Sequence, residues 1–166
     1  MRGNQPDVNI RRATDDDALS IASVLHASFV EYESSYTAEA FAATTSTREQ
    51  VQHRMSEGPI WVALHGDYIV GTVSVVPKSD TVYIRGMAIL PTARGQRIGA
   101  LLLETVEAYA SGHGYRRLYL STTPFLTRAI RLYEHCGFQR SDEGPPDLFG
   151  TPLFTMVKTL KAYGEG

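Results

Sequence analysis

One passage constrains the chain more than any other. An extended run, Val82 to Leu90, is stopped by Pro91; the run Arg94-Gly-Gln-Arg-Ile-Gly99-Ala100 follows, and a strongly apolar helix then begins. Leu101, Leu102, Thr105, Val106 and Tyr109 recur at helical spacing, and Gly112 and Gly114 mark the end near Ser111. A helix that starts this way leaves its first amide N–H groups without intrahelical partners. Gly95 and Gly99 clear side-chain bulk from the entry, and Arg94 and Arg97 add positive charge there. The run lacks the Gly-Lys-Ser/Thr ending of a triphosphatase loop and the G-x-G-x-x-G spacing of a dinucleotide fold. Spacing alone leaves a phosphate site and an ordinary glycine-rich helix start equally open.

The rest of the chain supplies a sheet for this unit. Val8 to Ile10 forms a short strand, and Thr14 with Asp17 has capping-box spacing ahead of an apolar helical face of Ala18, Ile21, Ala22, Leu25 and Phe29. Residues 30–45 lack clear periodicity and mix Tyr32, Tyr36 and Phe41 with Glu31, Glu33 and Glu39, as a binding rim or a helix hairpin would. Thr47 and Gln50 cap a short helix through Met55, stopped by Gly58-Pro59. Ile60–Leu64 and Asp67–Val76 form a hairpin around Gly66-Asp67. A fifth strand covers Leu118–Leu120, and a last helix through Ala129, Ile130, Leu132 and Tyr133 ends at Gly137. Phe138 begins a strand, Ser141–Pro152 is expected to be an irregular loop, and Leu153–Val157 closes the sheet. The expectation is a single α/β domain over residues 8–160, a mixed and mostly antiparallel central sheet flanked by helices, with flexible termini at 1–7 and 161–166.

Composition narrows the function classes. Sixteen Lys and Arg against eighteen Asp and Glu give a net charge of -2, so no basic field for nucleic acid or an anionic membrane is expected. A single cysteine, Cys136, rules out an internal disulfide framework. The five histidines have no metal-ligand spacing, and no metal is expected. No apolar run is long enough for a membrane span or a signal peptide, so a cytoplasmic protein is expected.

Two motifs together point to a family. Arg94 through Gly99 resembles the acyl-CoA-binding loop of the Gcn5-related N-acetyltransferases (GNAT), Arg/Gln-x-x-Gly-x-Gly/Ala, and Gly86-Met-Ala-Ile-Leu-Pro91 resembles the strand before it. Ala129-Ile-Arg-Leu-Tyr133-Glu-His-Cys-Gly137-Phe138 resembles the second hallmark of the family, and the likeness covers about residues 8–160. The departure is Arg97, where the pattern has glycine; a helical backbone with the side chain turned outward would accommodate it, whereas a left-handed one would favour glycine.

The resemblance implies a sheet splayed between the strands ending near Leu90 and Thr122, with acetyl-CoA in the gap. Its diphosphate would meet amides from Gly95, Gln96, Arg97, Ile98, Gly99 and Ala100, and Met87 and Ile89 would pair with the pantetheine arm. Arg128 is divided between a cofactor contact and a solvent-facing cap. The implied reaction is direct acetyl transfer to a primary amine through a tetrahedral intermediate, whose oxyanion the backbone at Met87 or Ala88 would stabilise. Tyr133 would protonate the departing thiolate; by periodicity alone it is a core tyrosine.

The acceptor pocket is expected between residues 30–45 and 141–152. The first side offers Phe29, Glu31, Tyr32, Glu33 and Tyr36, and the second Asp142, Glu143, Asp147, Leu148 and Phe149. Glu31 and Glu33 are the leading candidates for the base, beside Asp80, His26 and a water relay, and none is assigned. A small or amino-acid-like amine is the first expectation for the acceptor, then a peptide or protein N-terminus, then an aminoglycoside. A non-catalytic acyl-CoA-binding module is the alternative of another class, and a homodimer is compatible with the terminal strand.

Overall fold

In the computed structural model, residues 7–161 are described, so the expected flexible termini lie almost wholly outside the described part. The first strand, β1 (Val8–Arg12), leads into a 3-10 turn at Asp15–Asp17 and then α1 (Ala18–Phe29). The acidic triplet serves this junction. Asp17 accepts from the Thr14 backbone N–H at 2.8 Å and receives both ends of the Arg11 guanidinium, at 2.7 and 3.0 Å. That pairing holds its carboxyl below the usual range.

The unperiodic segment resolves into a 3-10 helix, Val30–Ser35, and a short α2 (Ala38–Thr44); it is helical and also lines the cleft described below. The capping box at Thr47 and Gln50 is present in both directions, at 2.8 and 3.2 Å, and opens α3 (Arg48–Met55). Next come β2 (Ile60–His65), β3 (Tyr68–Lys78) and β4 (Thr81–Ile89), then α4 (Ile98–Gly112) and β5 (Arg117–Thr122). The chain ends with α5 (Thr127–His135), β6 (Gln139–Ser141), β7 (Asp147–Leu148), β8 (Thr151–Pro152) and β9 (Phe154–Thr159).

Seven strands form one sheet in the order β1-β2-β3-β4-β5-β9-β6, antiparallel except at the β4–β5 pair. Val73, Val75, Val82, Ile84, Leu118 and Leu120 bury one face together with Ile98, Leu102 and Val106 of α4. On the other face Ile60, Val62, Leu64 and Ala88 pack against Ile21, Val24 and Leu25 of α1 and Val51 of α3. This two-sided covering is the mixed α/β architecture expected from the sequence.

The loop Ser141–Pro152 is not wholly irregular, as the sequence suggests. β7 and β8 make a small hairpin whose turn is held by the Gly150 N–H donating to Asp147 at 2.8 Å. A carboxylate at the first turn position substitutes for the longer ladder that the prolines preclude.

Two features shape the site. First, β4 pairs with β5 only over Thr81–Ile84, against Arg117–Leu120; past that point the strands part. Second, β4 carries a bulge: Thr72 faces Ala88 while Ser74 faces Arg85, so β4 has one extra residue there. Gly86, at φ 60°, provides the left-handed backbone that such a bulge favours.

Candidate active site

The gap beyond Ile84 opens into a cleft of about 870 Å³, running from the N-terminus of α4, along β4, to the face covered by α1 and α3. At the first end, the earliest bond within α4 runs from the Leu101 N–H to the Arg97 carbonyl at 3.0 Å. The amides of Ile98, Gly99 and Ala100 therefore have no partner in the helix, and no side chain caps them. Ile98, Gly99 and Ala100 line the cleft with Arg94, Gly95 and Arg97. Unpaired amides at a helix start, on a loop that carries Arg94 and Arg97, form an anion cradle.

The structure fixes the conformation of Arg97 and adds a packing role for Gly99. Arg97 is not helical; it has φ 62° and ψ 15°, the left-handed conformation in which glycine is favoured. Its side chain does turn outward, 77% exposed and 3.9 Å from Glu104. The position precedes the helix rather than opening it, which spacing within the motif does not reveal. Gly99 is also needed for more than a ligand. A Cβ there would lie 2.6 Å from Leu132, 3.1 Å from Ile89 and 3.2 Å from Met87, so its missing side chain lets α4, α5 and β4 pack together. Gly95 has open space around it and φ 82°, so its requirement is conformational.

Arg94 does not point freely into the cradle. Its guanidinium pairs with Glu31 and reaches the Ser28 carbonyl at 3.4 Å. Glu31 is thereby an anchor for the loop, not a carboxylate lining the cleft. Glu33 is exposed and Gln96 stands outside the cleft wall, whereas Phe29, Tyr32 and Tyr36 line it. From the far loop Asp147 and Leu148 reach the wall; Glu143 instead pairs with Arg117 at 3.5 Å, and Phe149 is exposed. Phe125 packs on Tyr36, with ring centres 4.8 Å apart. Arg128, in the exposed first turn of α5, is on the cleft wall.

Along β4, Leu90 donates its N–H to Val70 of β3 at 2.8 Å, so strand alternation turns the Ile89 backbone toward the gap. One element there escaped sequence reasoning. The Ser28 hydroxyl, on the buried face of α1, lies 2.6 Å from the Val24 carbonyl and 2.9 Å from the Ile89 carbonyl. A serine inside an otherwise apolar helical stripe was the signal available for it. Thr122, Thr123 and Leu126 also line the gap unannounced by any motif.

Tyr133 lies on α5 against this gap, 8% exposed, its ring centre 5.9 Å from that of Phe138. Burial pushes its phenol far above the ordinary value, with the neighbouring Tyr36 phenol a smaller contribution in the same direction. Tyr133 therefore keeps its proton throughout the neutral range and can act as a hydrogen-bond donor.

Comparison with known proteins agrees with this architecture. Residues 21–138 match the acetyltransferase (GNAT) family. The N-acetyltransferase YjgM of Escherichia coli, itself uncharacterized, is 32% identical over 138 residues, which cover 80% of this chain and 83% of that one. N-acetyltransferase 8B of Rattus norvegicus is 31% identical over 94 residues, 53% of this chain but 42% of that longer one. Among solved structures, the PaiA N-acetyltransferase of Thermoplasma acidophilum, in complex with coenzyme A, superposes with a TM-score of 0.80 at 16% identity, over 93% of this chain and 99% of that one. The ribosomal-protein-S18-alanine N-acetyltransferase of Escherichia coli gives 0.76 at 16% identity, over 96% and 98%. The chain belongs to the GNAT acetyltransferase family.

Proposed function

We propose that the protein is an acetyl-CoA-dependent N-acetyltransferase that moves an acetyl group directly onto a primary amine of a small, amino-acid-like molecule. The observation that carries this reading is the cradle of unpaired Ile98, Gly99 and Ala100 amides beside the unpaired edge of β4. The first suits a diphosphate; the second suits an extended chain of amides lying alongside like another strand. Arg128, which also lines the cleft, is the proposed further contact to the phosphates. A likeness to PaiA, solved with coenzyme A, supports a donor of the acyl-CoA type.

Acetyl-CoA supplies the thioester: the neutral amine nitrogen bonds to its carbonyl carbon and gives up one proton to water, the carbon–sulfur bond breaks, and sulfur leaves as a thiolate. Holding both substrates in one cleft removes most of the entropic barrier to that attack. The backbone N–H of Met87, in the bulge and on the gap side by strand alternation, is the proposed donor to the transient oxyanion; Ala88 faces Thr72 of β3 instead. Tyr133 offers its O–H to the departing sulfur. Its raised pKa makes it a weaker acid than a thiol, whose ordinary value is about 8.5. The contribution is therefore a hydrogen bond that strengthens as charge grows on sulfur, with solvent completing protonation.

The test is a panel of primary amines incubated with acetyl-CoA, following thiol release and the mass gain of the amine. Turnover of at least one amine is expected. Tight acetyl-CoA binding without transfer to any amine would instead identify a non-catalytic acyl-CoA-binding module.

A further inference from the structure

Arg54 is a charged group on the cleft wall that neither motif nor proposed chemistry uses. It lies in the last turn of α3, and its guanidinium rests over the β4 bulge: a Cβ at Gly86 would come 3.0 Å from Nη1. The absence of a side chain at Gly86 thus opens the space in which this cation sits. Arg54 lines the cleft beside Tyr83 and Arg85, on the sheet face of α1 and α3 and away from the α4 cradle.

The charge around it is unbalanced. Arg85 takes the nearby carboxylate, Glu57, at 2.8 Å, while Arg54 has no carboxylate within ion-pair distance among the described residues. Burial lowers the Arg54 pKa, and the positive charge of Arg85 lowers it further; Tyr83 and Glu57 oppose this more weakly. Two half-buried guanidinium groups therefore share one rim carboxylate, and Arg54 is the unpaired one. A cation placed this way carries a desolvation cost that an anionic ligand offsets. Guanidinium geometry matches the two oxygens of a carboxylate.

We infer that Arg54, seated over Gly86, is the anion-binding subsite for the acceptor, which is a small amine carrying a carboxylate. This deepens the proposed function and rests on it for the location of the amine. It fits a cleft in which most of the carboxylates expected to attract a cationic amine are turned elsewhere: Glu31 is committed to Arg94, Glu143 to Arg117 and Glu33 faces outward, while Asp147 reaches the wall. Arg54 binds and orients the acceptor and takes no part in bond making.

The test compares L-amino acids with their C-terminal amides, in the full-length protein and in Arg54→Gln and Arg54→Lys. Acetyl-CoA affinity and the far-ultraviolet spectrum serve as folding controls. In the wild type the acids are expected to have KM values at least tenfold below their amides. Arg54→Gln should abolish that preference by raising the KM of the acids about tenfold or more, and Arg54→Lys should restore part of it. Equal KM values for acids and amides in the wild type, or equal losses for both in Arg54→Gln, would overturn the subsite while leaving the transferase reading intact. Thermal stabilisation of the CoA-loaded protein by the same probes gives a readout independent of turnover. A shift with acids but not amides, lost in Arg54→Gln, supports the subsite even without transfer; no shift with the acids overturns it.

Discussion

Arg94 and Glu31 form an ion pair that ties the loop before α4 to the 3-10 helix after α1. The pair joins a wall of the anion cradle to the rim of the acceptor pocket. A diphosphate in the cradle must compete with Glu31 for this guanidinium. Glu31→Gln is therefore expected to tighten acetyl-CoA binding a few-fold, and Arg94→Ala to weaken it about tenfold. Calorimetric titration of the three proteins checks both signs.

Arg97 occupies a left-handed backbone at a residue with a Cβ. Arg97→Gly removes that penalty and Arg97→Ala retains it. The glycine variant should exceed the alanine variant in unfolding free energy by about 1 kcal/mol. Urea unfolding of both measures the difference; an alanine variant as stable as the glycine one would show that the backbone is not strained.

Gly99→Ala drives a methyl into Leu132. A loss of about 1–3 kcal/mol is expected. Adding Leu132→Ala should recover part of the loss caused by the methyl, so the two substitutions are non-additive in a double-mutant cycle. Strict additivity would place the clash elsewhere.

Tyr133→Phe keeps the packing and removes the hydroxyl. kcat should fall about tenfold to a hundredfold, with the acetyl-CoA Kd unchanged. Because the phenol keeps its proton, wild-type kcat should show no decline from Tyr133 ionisation between pH 7 and about 10. An undiminished kcat in the variant would remove Tyr133 from the chemistry.

Tyr36, Tyr83 and Tyr133 are all raised, mainly by burial. Above about pH 10 the unfolded chain releases these protons while the folded one retains them. The native state then binds more protons, so stability falls as pH rises. Urea midpoints should drop between pH 9 and 11, less steeply in Tyr133→Phe.

The residues that announce themselves in the sequence are those whose chemistry depends on neighbours along the chain. Thr47 with Gln50, the Gly66-Asp67 turn, and the glycine-flanked start of α4 are all local, and the structure has them. The backbone at Arg97 is not legible locally, because whether a residue ends a turn or begins a helix depends on where the helix axis is fixed, and Ile98 packing under the sheet fixes it. The Ser28 contact with Ile89 and the meeting of Arg54 with Gly86 join residues 61 and 32 positions apart. No periodicity encodes such encounters. The hairpin at Asp147–Pro152 was hidden by prolines that limit its length without forbidding it.

The parallel seam between β4 and β5 spans four residue pairs, with Val82, Ile84, Leu118 and Leu120 beneath α4. The two flanking subsheets thus meet like jaws on a narrow pivot, and side-chain volume at that pivot sets how far they gape. Trimming Leu118 would alter the bite of the enzyme while leaving every group that touches a ligand in place.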